Sequence, residues 1–332
     1  MNKMNGATYI YIRNIQEYIP RARVKLAYRL KQNLKLITLI IYSKANTLQF
    51  LNLFLISRDF IKSVYQGPPF GVWTKTFFSW IIFSFSAAIR KSLTYLMPCR
   101  EKKLLELARK NSVESGSDNE PLVSIIIPTY NRAKLLLERA IPSVLNQTYK
   151  NLEVIVVGDH CTDNTEKEIK KIGDPRVRFI NLPERGKYPK EPIQRWFVAG
   201  VVPVNVGLQE SRGEWIAHLD DDDEFSPDHV DVLLKFALEH DYEMVYGVVE
   251  MEMSDGSWVK VGSPDLREGA ISRISALYRG YLKCFRCDIN SWKMREPADF
   301  NLWRRMKRAG VRIGFINKVV GKHYRERTRI NV

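Results

Sequence analysis

Beyond Pro121 the chain alternates short apolar runs with helical patterns, and three of the four apolar runs end in a cluster of polar residues. Leu122 to Ile127, Glu153 to Val157, Val177 to Ile180 and Glu214 to Leu219 read as strands. Ala133 to Gln147, interrupted by Pro142, then Asp163 to Ile172 and Val204 to Ser211 read as helices. Strands of this kind separated by helices predict an α/β fold with a mostly parallel sheet covered on both faces. Ligands of such sheets bind beyond the strand C-termini. The polar clusters fall there: Thr129-Tyr130-Asn131-Arg132, Asp159-His160-Cys161-Thr162-Asp163 and Asp220-Asp221-Asp222-Asp223.

The aspartate run carries the sharpest chemistry. Carboxylates packed together raise one another's pKa values, and a divalent cation removes that conflict. If the run is extended, side chains alternate, so Asp220 and Asp222 share one face and Asp221 and Asp223 the other. Paired hard oxygens suit Mg²⁺ or Mn²⁺, which keep positions open for water and phosphates. Taken alone, the run also reads as a solvated acidic loop.

Charge divides the 332 residues into unlike parts. Residues 1–110 hold 19 Lys and Arg against 4 Asp and Glu, which equals the whole net charge of +15; beyond them the charges cancel. Within that segment Val24, Tyr28, Leu30, Leu34, Ile37 and Ile41 recur at helical spacing among basic residues, predicting a basic amphipathic helix over 21–42. The charge-free stretches 45–57 and 76–89 are shorter than the roughly 20 residues a membrane-spanning helix needs. With Trp73, Phe77, Phe78 and Trp80 nearby, the segment is suited to an anionic membrane surface, and no signal peptide is expected. A helical module packed on the rest of the protein is the other reading, and nucleic acid is not expected as a partner, because no recognition motif accompanies the charge. Residues 111–120 are polar and aperiodic, predicting a linker between 1–110 and a domain over 121–332. Four cysteines do not make a disulfide framework, and Cys284 and Cys287, lacking a second pair, read as structural.

Four segments in order resemble the family 2 glycosyltransferases, of inverting type and GT-A fold: 123–132, VSIIIPTYNR; 156–165, VVGDHCTDNT; 213–228, GEWIAHLDDDDEFSPD; and 298–306, ADFNLWRRM. The resemblance covers about residues 122–325. It implies a nucleotide-sugar-binding half over 121–240 and an acceptor and catalytic-base half over 241–332. It places Pro128, Thr129, Tyr130, Asn131, Asp159 and Asn205 at the nucleotide, and the D-x-D motif on Asp220-Asp221-Asp222. Asp222, Asp220 and His323 are then the expected ligands of Mn²⁺ or Mg²⁺, with Asp223 unassigned between support and second ligand. Asp299 matches the general base, although a first-turn acid at a helix N-terminus is its other reading. For His323 the alternative is a surface or packed imidazole.

The departures concern the donor. One acid, Asp159, follows the second strand where relatives have two, and Val204-Asn205 stands where they have Arg-Asn, leaving Lys187 or Arg195 as candidate replacements. The segment Glu184 to Val202 is a candidate lid. Aromatics over 243–293, among them Tyr246, Trp258, Tyr278, Tyr281, Phe285 and Trp292, read as core or as sugar-stacking surfaces. The expectation is transfer of a sugar from a nucleoside-diphosphate sugar to a hydroxyl of a glycan, glycolipid or other acceptor, in cell-surface polysaccharide or glycolipid synthesis, at the cytoplasmic face of the membrane. The alternatives are nucleotidyl transfer to a sugar phosphate, against which stands the absence of a Gly- and Lys-rich phosphate loop after the first strand, and a non-catalytic membrane-associated protein with a degenerate transferase domain.

Overall fold

The structure, a computed structural model, describes residues 100–112 and 120–325 together with Ser86, Ala87 and Arg90. The chain divides into two units, Met1–Ile82 and Phe83–Val332, and the described residues all belong to the second. The amphipathic helix, the apolar stretch 45–57, all of the stretch 76–89 but Ser86 and Ala87, and 113–119 of the expected linker lie outside the described residues. Among the described residues no helix is long and apolar enough to cross a membrane.

Strands β1 (Val123–Thr129), β2 (Leu152–Gly158), β3 (Val177–Asn181) and β4 (Trp215–His218) form the parallel part of the sheet in the order β3-β2-β1-β4. The chain thus moves outward from β1 through β2 to β3 and then crosses back to β4 on the other side of β1. That reversal opens a crevice at the C-terminal ends of β1 and β4. The helices between them are α2 (Ala133–Leu135, a π-turn Leu136–Ala140, then Ile141–Leu145), α3 (Thr165–Ile172), α4 (Pro192–Trp196) and α5 (Val201–Glu210).

Parallel pairing, expected for most of the sheet, gives way in the second half. After β5 (Glu224–Phe225) and α6 (His229–Glu239), β6 (Met244–Glu252) pairs with β7 (Trp258–Val261) and β8 (Ala276–Arg279) antiparallel, and with β9 (Ile313–His323) parallel. β8 lies antiparallel to β4, and β9 to β5. The result is one mixed sheet in the order β3-β2-β1-β4-β8-β6-β9-β5, with β7 off β6 and α7 (Ala298–Ala309) preceding β9.

Each sheet face has its own core, as period-two side chains require. Ile126, Ile216, Met244, Tyr246 and Tyr278 face α5 and α7, while Ile125, Ile127, Val154, Val156, Trp215 and Leu277 face α2 and α6. Gly207 lets α5 approach β1 closely, since a Cβ there would stand 2.4 Å from Ile126 Cγ2.

Asn111 and Ser112, expected to open the linker, instead end a helix, α1 (Arg100–Ser112), that packs on this unit. Leu105 is buried in the core shared with α7. Arg109 donates from Nε and Nη2 to the Glu243 carboxylate at 2.7 and 2.6 Å, and Glu243 also accepts from Tyr281 Oη at 2.6 Å and Arg312 N at 2.8 Å. Burial alone would raise the Glu243 carboxyl, but these four donors outweigh it and hold it below the usual carboxylate range. A depressed folded-state pKa stabilises above the ordinary carboxylate value and loses that contribution as pH falls through the depressed value. Arg109→Met is therefore expected to destabilise the protein by about 1–2 kcal/mol at neutral pH and by less in acid, as read by urea unfolding, with faster amide exchange in α1 as the local signature.

Candidate active site

The sheet brings three loops to the crevice. Asp159 N donates to Thr129 O at 2.8 Å and Leu219 N to Ile126 O at 3.1 Å, so the three central strands stay in register to their ends. Asn131 adopts a left-handed conformation with φ 52°, one that Asn tolerates better than most residues. Its Oδ1 accepts from Thr162 N at 2.8 Å, which ties the first loop to the second.

The aspartate run is a turn, not an extended segment. β4 ends at His218, and Asp223 N donates to Asp220 O at 3.2 Å. This closure replaces the expected alternation: the carboxylates brought together are those of Asp220 and Asp223, with His323 of β9. One ligand atom from each lies within 4.8 Å of the others. Asp222, expected as the principal ligand, accepts from Arg132 Nη1 at 3.0 Å. Asp221 spans the crevice, accepting from Thr129 Oγ1 at 2.7 Å and Arg132 Nη1 at 3.1 Å. Burial pushes its carboxyl up to about 7, with Arg132 opposing.

Asp223 is fully buried and accepts from His323 Nδ1 at 2.7 Å and Tyr324 N at 2.8 Å. Burial raises its carboxyl, and His323 works against that. For His323, burial alone would favour the neutral ring, but the Asp223 charge and hydrogen bond push it up to about 9. Two carboxylate oxygens and an imidazole nitrogen fit Mn²⁺ or Mg²⁺ and leave coordination positions for water and phosphate.

Asp159 is buried and accepts from Gly186 N at 2.9 Å, while Arg185 lies over the Tyr130 ring at 3.6 Å. The segment expected as a lid therefore begins by closing on two of the expected nucleotide residues. Pro128 is buried at the end of β1. Asn205 does not face this site freely: its amide donates to Cys287 O at 3.0 Å and accepts from Cys287 N at 2.9 Å, fixing the loop ahead of α7. Cys284 and Cys287 are free thiols.

Asp299 lies in the first turn of α7. Burial raises its carboxyl, and the Arg273 guanidinium opposes the rise. Arg273, which no sequence motif marked, donates from Nη1 to Asp220 Oδ1 at 2.9 Å. Three of the six aromatics weighed for sugar stacking, Tyr246, Tyr278 and Phe285, are core; of the six only Trp258 is exposed, at 41%, and it packs edge-on to Tyr324.

Residues 124–189 and 202–298 match the family described as Glycosyl transferase family 2. A hyaluronan synthase from Pasteurella multocida is 29% identical over 219 residues, covering 62% of this chain and 21% of that protein. A GalNAc(5)-diNAcBac-PP-undecaprenol beta-1,3-glucosyltransferase from Campylobacter jejuni is 35% identical over 130 residues, covering 38% of each chain. The chain thus spans about a fifth to two fifths of the length of these relatives. A crystal structure of S. aureus TarS 1-349 with UDP-GlcNAc superposes with TM-score 0.49 and 21% identity over 61% of this chain and 58% of that one. The chain belongs to glycosyl transferase family 2.

Proposed function

We propose that the protein transfers a glycosyl group from a nucleoside-diphosphate sugar to a hydroxyl acceptor with inversion at the anomeric carbon. The observation that carries this reading is the meeting, at one crevice, of the Asp220, Asp223 and His323 donor group with Asp299, whose charge Arg273 links to Asp220. Two carboxylates from distant segments thereby serve opposite ends of one displacement. Relatives named as a hyaluronan synthase, a chondroitin synthase and a GalNAc(5)-diNAcBac-PP-undecaprenol beta-1,3-glucosyltransferase support a glycan or glycolipid acceptor.

Asp159, Tyr130 and the loop of Thr129 and Asn131 hold the nucleoside, with Asp159 kept in place by Gly186 N. Asp220, Asp223 and His323 would hold a divalent cation, which supplies Lewis-acid neutralisation of the departing diphosphate. Asp299 takes the proton of the acceptor hydroxyl as it attacks from the face opposite the diphosphate. Its burial favours this role, because a raised carboxyl pKa makes a stronger base. The exposed Trp258 offers an acceptor sugar an aromatic face. The basic residues of 1–82, 12 Lys and Arg against 2 Asp and Glu, hold the enzyme at the anionic, cytoplasmic membrane surface.

Asp299→Asn is expected to lower kcat by roughly a thousandfold with donor binding near wild type, in an assay of sugar transfer paired with nucleotide titration; equal loss of both assigns Asp299 a structural role. A proton on the His323 ring competes with a cation, so Mn²⁺ affinity should climb with pH until the ring gives up its proton near about 9, by up to about tenfold per unit. Calorimetry of the wild type and His323→Gln checks this, the variant losing most of the slope. For the membrane, flotation with anionic liposomes before and after removal of residues 1–82 should show binding lost on deletion; unchanged flotation refutes the anchor.

A further inference from the structure

Arg273 opens a 3-10 turn, Arg273–Ser275, directly ahead of β8. Its neighbours hold that turn firmly. Ile274 and Ser275 are fully buried, and Ser275 bonds Ser272 O through both N and Oγ, at 3.1 and 2.7 Å. β8 in turn pairs with β4, the strand that delivers the aspartates. The Arg273 side chain is only 17% exposed and is wedged among several parts of the crevice. Its Nη1 meets Asp220, and it lies 3.6 Å from where a Cβ on Gly200 would stand, a position that also touches Pro128 at 3.6 Å. Burial alone would disfavour its charge, but Asp220 and Asp299 outweigh that and keep the guanidinium charged.

Among the described residues Asp220 is its only hydrogen-bond acceptor, so most of a five-donor fork remains available. A plain counter-ion to Asp220 would account for the single bond and not for the rest. Asp220 also belongs to the three-residue donor group. A divalent ion seated there shares that carboxylate with the guanidinium, and two cations so placed repel unless an anion joins them. A diphosphate is such an anion, and the guanidinium fork matches phosphate oxygens. The basic residues that the sequence offered for this contact are placed otherwise. Arg195 spends its fork on Pro189 O and Lys190 O, at 3.1 and 3.0 Å, and Lys187 is exposed.

We infer that Arg273 binds the diphosphate of the nucleotide-sugar donor, holding the leaving group between the aspartate turn and Asp299. The inference rests on the sugar-transfer reading. It is tested by calorimetric titration of the full chain, in Mn²⁺, with UDP, GDP, CDP, ADP and dTDP, and by competition with the matching nucleosides. Arg273→Met should weaken the diphosphate that the wild type binds by roughly ten- to a hundredfold and leave the nucleoside unchanged. Arg273→Lys should recover part of the loss, since lysine keeps the charge without the fork. Thermal unfolding of both variants shows that they fold. Unchanged diphosphate binding in both variants overturns the inference while leaving sugar transfer standing. Equal losses for diphosphate and nucleoside overturn it too, because they mark Arg273 as only a structural partner of Asp220. A wild type that binds none of the five diphosphates overturns the sugar-transfer reading and this inference with it.

Discussion

Four carboxylates in one tight turn at the end of a buried strand have to be neutralised one by one, and each neutralising group comes from a different stretch of chain. Arg273, ahead of β8, serves Asp220; Arg132, after β1, serves Asp221 and Asp222; His323, ending β9, serves Asp223. Asp221 and Asp223 are buried, and a buried carboxylate without its partner is strongly destabilising, so the turn depends above all on docking of the segments that carry Arg132 and His323. The sheet order supplies that docking. β1 and β8 flank β4, and β9 pairs with β5 immediately beyond the turn, Glu224 opposite Lys322. Fold and site are thus one electrostatic problem with one solution.

That solution assigns unequal duties to four identical side chains. Asp221, spanning from Thr129 to Arg132, closes the crevice between β1 and β4 and is a support. Asp222 is held by Arg132 while its carbonyl accepts from Arg139 Nη1 at 2.5 Å. Arg139 in turn lies over the Tyr324 ring at 3.7 Å, and Tyr324 N bonds Asp223. The turn is therefore gripped from α2 and from the end of β9 at once, and Asp220 and Asp223 are left converging with His323.

The parallel half of the fold was legible because apolar runs, helical patterns and polar strand ends all agree there. The strands from Val123, Leu152, Val177 and Trp215 formed where the patterns placed them. Legibility failed where backbone closure or distant partners decide the outcome. Period-two reasoning paired Asp220 with Asp222, but that period holds only while the chain stays extended, and the Asp223 N to Asp220 O bond ends it. Asp223 could not be assigned from sequence because its partners, His323 and Tyr324, lie about a hundred residues away. The family resemblance placed Asn205 at the nucleotide, and no local pattern showed that the Cys287 backbone engages both ends of its amide. Arg273 carried no signal at all, since a single arginine before a short strand resembles any surface residue.

Arg273 also makes the two ends of the proposed reaction interdependent. Its charge pulls the half-buried Asp299 carboxyl down while desolvation pushes it up, so the basicity of Asp299 depends on how much of that charge reaches it. A diphosphate bound to the guanidinium would neutralise part of its charge and so shield part of that pull, and shielding raises the carboxyl's affinity for a proton. On the proposed mechanism Asp299 would then be a stronger base with a donor in place than with the site empty, which would couple proton removal to a leaving group ready to depart.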